Sequence, residues 1–142
     1  MAVKEKIKEL AELLENWKEP ATKTKSAFLR LKKYLEGLPD VILSFKSRPG
    51  VSHSLRAAHK NQQDKSLFVM VDIIDDDPDN RWLSVCFYGD MISDPDELGD
   101  FVPGGLLGED ACCFDIDRWE DSLLEYVEKR IGEAYENAAR GG

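Results

Sequence analysis

Between Ser44 and Arg56 the chain sets Lys46, Arg48 and Arg56 among Ser44, Ser52 and Ser54. Guanidinium groups bind carboxylate or phosphate through a planar fork, ammonium groups act as point charges, and serine hydroxyls add short donors. Such a set suits an anionic group. Further on, Trp82 and Tyr88 offer rings on which the apolar part of a ligand could stack. Asp72 is the one carboxylate inside the apolar run Leu67–Ile74. If covered, it needs a cationic or hydrogen-bonding partner, because a buried unpaired charge is costly. Arg56 or Lys46 is expected to supply one. The same carboxylate is the candidate for acid–base work, since burial is what tunes such groups.

Whether these side chains converge depends on strand register, because a one-residue slip exchanges the two faces of a sheet. Residues 41–59 form two β-type runs joined at Pro49-Gly50. A two-residue loop would pair Lys46 with His53 and leave both faces mixed. A three-residue loop, Pro49 to Val51, pairs Arg48 with Ser52, Lys46 with Ser54 and Ser44 with Arg56. It is preferred, because it gathers the cations and serines on one face and gives Gly50 the left-handed position. The next hairpin, with Ile73 opposite Leu83, has an aliphatic face of Leu67, Val69, Val71, Ile73, Leu83, Val85 and Phe87. Its reverse holds Phe68, Met70, Asp72, Ile74, Trp82, Ser84, Cys86 and Tyr88. Its loop, Asp75–Arg81, carries four aspartates and a proline and reads as a solvated turn.

Other constellations fall short of a site. His53 and His59 share one strand face but stand ~20 Å apart at ~3.3 Å per residue, too far for one metal, and read as structural histidines. Cys112-Cys113 is a vicinal pair without zinc spacing; with Cys86 it reads as small, reduced, buried thiols. Asp75, Asp77 and Asp79 have a calcium-loop rhythm. Pro78 interrupts it, Asn80 replaces the turn glycine and Cys86 the bidentate glutamate, which excludes an EF-hand. The glycines at 104, 105 and 108 lack a following Lys-Ser/Thr, and Glu109 and Asp110 would repel phosphate. They suit tight turns or close backbone approach. No catalytic residue, metal or cofactor is assigned.

The elements that must position these residues follow from periodicity. Val3, Ile7, Leu10, Leu14 and Trp17 form one helical stripe that Pro20 ends; Thr24, Phe28, Leu31, Leu35 and Leu38 form a second, stopped by Gly37 and Pro39. A four-stranded antiparallel meander follows, then a long segment, and Cys113–Ile116 reads as a short further strand. A C-terminal helix is expected from Asp117, with Glu120 completing a capping box and Trp119, Leu123, Val127, Ile131, Ala134 and Ala138 buried. The chain reads as a single α+β domain over 1–142, with helices packed on one sheet face. The segment Gly89–Cys112 holds five glycines, seven carboxylates and no cation in 24 residues, with no regular period. It reads as an ordered loop, a lid over the reverse sheet face.

The net charge of −9 argues against nucleic-acid and anionic-membrane partners. The charge is divided: +6 over residues 1–60 and −15 over 61–142. No stretch has the ~18 apolar residues of a membrane span, and the charged N-terminus lacks the apolar core of a signal peptide. A cytoplasmic protein is expected. It reads as a binding module for a small anionic or amphipathic ligand, or for a partner protein. The surface is the sheet face of Lys46, Arg48, Ser52, Ser54, Arg56, Asp72, Trp82 and Tyr88, under the 89–112 loop. Two alternatives stand. One is a homodimer without ligand, using the first helix or the amphipathic sheet face as its seam. The other is a small enzyme using Asp72 with Arg56.

Overall fold

A computed structural model describes residues 2–142, with side chains from residue 8 onward; the side chains of Val3 and Ile7 of the expected stripe lie outside those described. The order is α1 (Ala2–Asn16), α2 (Thr24–Glu36), β1 (Val41–Arg48), β2 (Ser52–His59), β3 (Val69–Ile74), β4 (Trp82–Tyr88), β5 (Asp100–Leu106), β6 (Glu109–Ile116) and α3 (Asp121–Ala139). The strands form one antiparallel sheet in the order β1-β2-β3-β4-β6-β5. The fold is α+β, with six strands where four were expected.

Both hairpin registers agree with the patterning. Arg48 lies opposite Ser52, Lys46 opposite Ser54 and Ser44 opposite Arg56. Ile73 lies opposite Leu83. One face therefore collects Phe45, Leu55, Val71, Ile73, Leu83, Val85, Phe87, Phe114 and Ile116, all buried. Each such side chain contributes roughly 1.5–3 kcal/mol by leaving water. Phe28, Leu31 and Leu35 of α2 and Leu124, Val127, Ile131 and Ala134 of α3 complete that core. α1 differs from the expected arrangement, since it packs chiefly along edge strand β1. α3 starts at Asp121 rather than Asp117, and its first turn has no side-chain cap bond. Trp119 instead lies outside the helix, with the Arg30 guanidinium 5.5 Å from its ring centre.

The expected lid divides into two parts. Residues 89–99 are pinned to α3. Tyr126 donates to Asp94 at 2.5 Å, the Ser93 hydroxyl donates to Glu133 at 2.7 Å, and Met91 is buried. Residues 100–116 extend the sheet as the β5–β6 hairpin. Its period is hidden because β5 is an edge strand, exposed from Asp100 to Gly105, with a register break between Val102 and Leu106. At that break a side chain on Gly105 would come within 2.4 Å of Val102 Cγ1, so glycine lets the strand fold back on itself.

The hairpin turns through Leu107 and Gly108, both at positive φ (51° and 87°), as a two-residue turn of the type I′ kind requires. Leucine is a costly choice there. Leu106 is fully buried while Leu107 is 54% exposed. Lys65 secures the hairpin, bonding Glu109 at 2.9 Å with its ammonium 5.2 Å from the centre of the Tyr88 ring. Leu106→Ala should therefore cost about 2–4 kcal/mol in urea unfolding. Leu107→Asn, which removes the left-handed penalty, should gain up to about 1 kcal/mol. Equal effects at the two positions would contradict a docked hairpin tip.

Candidate functional site

The pleat places the expected site residues on the sheet face away from α2 and α3, in rows that cross the strands. One row runs Ser44, Arg56, Met70, Cys86, Cys113 and Asp100. The next runs Lys46, Ser54, Asp72, Ser84 and Asp115, and a third runs Arg48, Ser52, Ile74 and Trp82. Lys46, Arg48, Ser52, Ser54, Arg56 and Asp72 are thus contiguous on β1, β2 and β3. Trp82 closes the third row on β4, half-buried. Tyr88 lies on the same face near its far end and is buried, with Lys65 against its ring.

Lys46, Arg48 and Arg56 have no carboxylate within 4 Å among the described residues. Arg56 Nε donates to Ser54 Oγ at 3.2 Å. The expected ion pair of Asp72 with Arg56 or Lys46 is therefore absent. Cross-strand neighbours on β2 put Ser54, not a cation, directly opposite Asp72, and Arg56 leans back toward Ser54. Asp72 Oδ1 is buried with no hydrogen-bond partner among the described residues. Burial raises the Asp72 pKa above the ordinary 3.8, only partly offset by the Ser54 hydroxyl and the Arg56 and Arg48 charges.

At one end of this face lies a cavity of about 210 Å³, lined by Ser44, Arg56, Ala58, Ser66, Leu67 and Leu107. Its roof is the strained Leu107 of the β5–β6 turn. The expected lid is thus reduced to a hairpin tip over Arg56. A larger cavity of about 530 Å³ lies between residues 89–99 and β6, lined by Asp90, Asp94, Glu109, Asp110, Phe101 and Cys112 among others. Its carboxylates repel anions, and no group of three or more His, Cys, Asp or Glu side chains among the described residues is arranged to hold a metal ion.

On the helix-covered face, sequence patterning missed a buried polar chain. The Ser47 hydroxyl meets His53 Nδ1 at 2.5 Å, His53 Nε2 meets Asp75 Oδ2 at 2.7 Å, and Arg81 Nε donates to Asp75 Oδ1 at 2.6 Å. His53 and Asp75 are buried, whereas Asp75 was expected in a solvated turn. Arg81 also lies against Trp17, 5.8 Å to the ring centre, and its carbonyl accepts from the Thr24 hydroxyl at 2.7 Å. A Ser–His–Asp order can activate a nucleophile. Here the imidazole stacks on Phe45, 6.4 Å between ring centres, and neither cavity is lined by Ser47, His53 or Asp75. The chain serves to tie the tips of the two hairpins to Trp17, just past α1, and to Thr24 of α2. Burial pushes the Asp75 carboxyl up, but Arg81 and His53 outweigh it and hold it below the ordinary value.

No known protein family, curated protein or solved structure matches this chain.

The two aspartates respond oppositely to pH. Asp72 binds its proton more readily folded than unfolded, so its charge costs stability above its raised pKa and the cost vanishes as pH falls below 3.8. Asp72→Asn should stabilise the protein by about 1 kcal/mol at pH 7, with the advantage fading on acidification. Asp75 holds its charge more readily folded, so its contribution is present above 3.8 and lost as pH falls through its depressed value. Asp75→Asn should destabilise by about 3 kcal/mol at pH 7. Urea unfolding from pH 3 to pH 8 checks both; the same sign for the two variants would refute the assignment.

Proposed function

We propose that the protein binds a small anionic ligand, a carboxylate or a phosphate-bearing molecule, at the Arg56 end of the reverse sheet face. The observation that carries this reading is that Lys46, Arg48 and Arg56 are neighbours on one sheet face and none has a carboxylate within 4 Å among the described residues. Their adjacency, in a chain of net charge −9, makes a local cationic patch open to another anion. Arg56 lies beside a cavity of about 210 Å³ with the Ser44 and Ser66 hydroxyls in its lining. Its fork suits two-point recognition of an oxyanion. Leu107, Leu67 and Ala58 supply an apolar wall, which fits a ligand with an uncharged body beside its anionic head. Lys46 and Arg48 extend positive charge along β1 and would steer the ligand more than hold it.

The probe is inorganic phosphate, titrated into ¹⁵N-labelled protein at constant ionic strength against chloride. Saturable shifts are expected at Ser44, Arg56, Ser66 and Leu107. Arg56→Ala should weaken binding about tenfold or more, as expected for loss of a charged hydrogen bond. Lys25→Ala, a cation of α2 remote from the cavity, should leave it unchanged. Shifts without saturation, or an equal loss in both variants, would show only general ionic attraction.

The unpartnered Asp72 Oδ1 favours a second reading, a small enzyme in which Asp72 exchanges a proton while Arg56 stabilises developing negative charge. Carbon-detected titration of the Asp72 carboxyl tests its premise; a native pKa at or below the ordinary value would remove it.

A further inference from the structure

Cys86 of β4 and Cys113 of β6 stand directly opposite each other on the reverse face. Both are free thiols, 6% and 8% exposed. Directly opposed residues on antiparallel strands have Cα atoms ~4.5–5.5 Å apart, inside the ~4.4–6.8 Å that disulfides span. A bond between them requires side-chain rotation and a small local approach of the strands, since opposed Cβ atoms stand ~4.5–5.5 Å apart and a disulfide spans ~3.5–4.5 Å. The two thiols differ in surroundings, since Cys86 has the Ser84 hydroxyl beside its sulfur while Asp72 and Asp115 lie near enough to oppose its ionisation. Contact with the Cys113 thiol holds Cys86 below the ordinary thiol range although burial pushes it up, and the Ser84 hydroxyl, 3.5 Å from its sulfur, adds to the lowering. The same contact and burial push Cys113 up.

Cys112 is excluded from the pair by the pleat. It points to the opposite face, lines the acidic cavity and lies 4.0 Å from Asp94. Burial and Asp94 push its thiol up.

We propose that Cys86 and Cys113 form a redox-active dithiol site whose substrate is a small peroxide. The Cys86 thiolate attacks one peroxide oxygen, the O–O bond breaks, and hydroxide leaves and takes up the proton that Cys86 released. Cys86 becomes a sulfenic acid. The Cys113 sulfur then attacks the Cys86 sulfur, the S–S bond forms, the S–O bond breaks, and the departing oxygen leaves as water with the Cys113 proton. Two thiols and one hydrogen peroxide give one disulfide and two waters. The low exposure of both sulfurs selects a peroxide over a bulky oxidant such as glutathione disulfide, and α2 and α3 cover the other side of the sheet. The product joins β4 to β6 across residues 89–99 and β5. This site stands independently of the anion-binding reading and shares only the sheet face with it.

The test is mass spectrometry of the full chain after exposure to one equivalent of hydrogen peroxide and capping of free thiols. Trypsin leaves all three cysteines on one peptide, because no Lys or Arg lies between Trp82 and Asp117. Cleavage after Glu97 and Glu109 separates Cys86 from the vicinal pair. The expected product has lost two hydrogens, links Cys86 to Cys113, keeps Cys112 capped, and returns to the dithiol with a reductant. Oxygen addition without a link, a bridge through Cys112, a bridge between molecules, or unreacted thiols would each overturn the proposal. Cys113→Ser should accumulate a sulfenic acid at Cys86 that dimedone traps, whereas Cys86→Ser should leave Cys113 unmodified. Equal trapping in both variants would overturn the assignment of Cys86 as nucleophile. The wild-type measurement needs neither variant to fold.

Discussion

The structure depends on a register that no residue of β2 or β3 can leave. Ser54 lies opposite Asp72, and Leu55 opposite Val71. A slip of one residue would carry Arg56 and Asp72 under α2 and α3 and expose Leu55, Val71 and Ile73 to water. Burying an unpaired carboxylate costs several kcal/mol, and each apolar residue brought out loses roughly 1.5–3 kcal/mol. The penalties add along the strand, so the hydrophobic pattern holds the pairing. The buried Ser47–His53–Asp75–Arg81 chain fixes it at one end, where the tips of both hairpins meet α1 and α2. Everything on the reverse face inherits its position from that pairing, including its cations, its orphaned carboxylate and its paired thiols.

Asp72 inside β3 and Asp75 just past its end show how the same residue type is handled on opposite faces. Asp75 is buried and satisfied on both oxygens, one by His53 and one by Arg81. It is a structural charge, and its partners are spent on it. Asp72, three residues earlier and on the other face, has one buried oxygen with nothing to bond. Cations lie nearby but turn elsewhere. A fold that pairs one carboxylate so fully and leaves the next unpaired concentrates its electrostatic frustration on one surface.

Much of this was legible in the chain because the relevant rules are local. Alternation in residues 41–59 and 67–88 set both hairpin registers, since only one loop length separates polar from apolar residues. Helical stripes at Phe28, Leu31 and Leu35 marked α2 by spacings that only a helix brings to one side. The β5–β6 hairpin was illegible for equally physical reasons. Its turn is Leu107-Gly108 rather than the Asn-Gly or Asp-Gly that usually marks such a turn. Its outer strand is an edge broken by Pro103, Gly104 and Gly105, so no period of two survives. The His53–Asp75 contact was hidden because it joins residues 22 apart in sequence, and no local spacing encodes it. The Asp72 ion pair failed for the opposite reason: proximity in the register was right, but the Arg56 side chain turns to Ser54.

Leu107 joins the β5–β6 turn to the cavity beside Arg56. A leucine in a left-handed turn position is disfavoured by about 1–2 kcal/mol, and asparagine or glycine would serve the turn better. Turn formation alone gives no reason for it. Its side chain is more than half exposed, so burial in the core gives none either. What it does touch is the cavity beside Arg56, together with Ser44 and Ser66. Backbone strain retained where the fold gains nothing points to the neighbouring surface. The turn therefore puts an apolar wall beside a free guanidinium, and β6 carries that turn as an extension of the strand that holds Cys113 against Cys86. β6 is thus the strand common to the wall beside Arg56 and to the Cys86–Cys113 row.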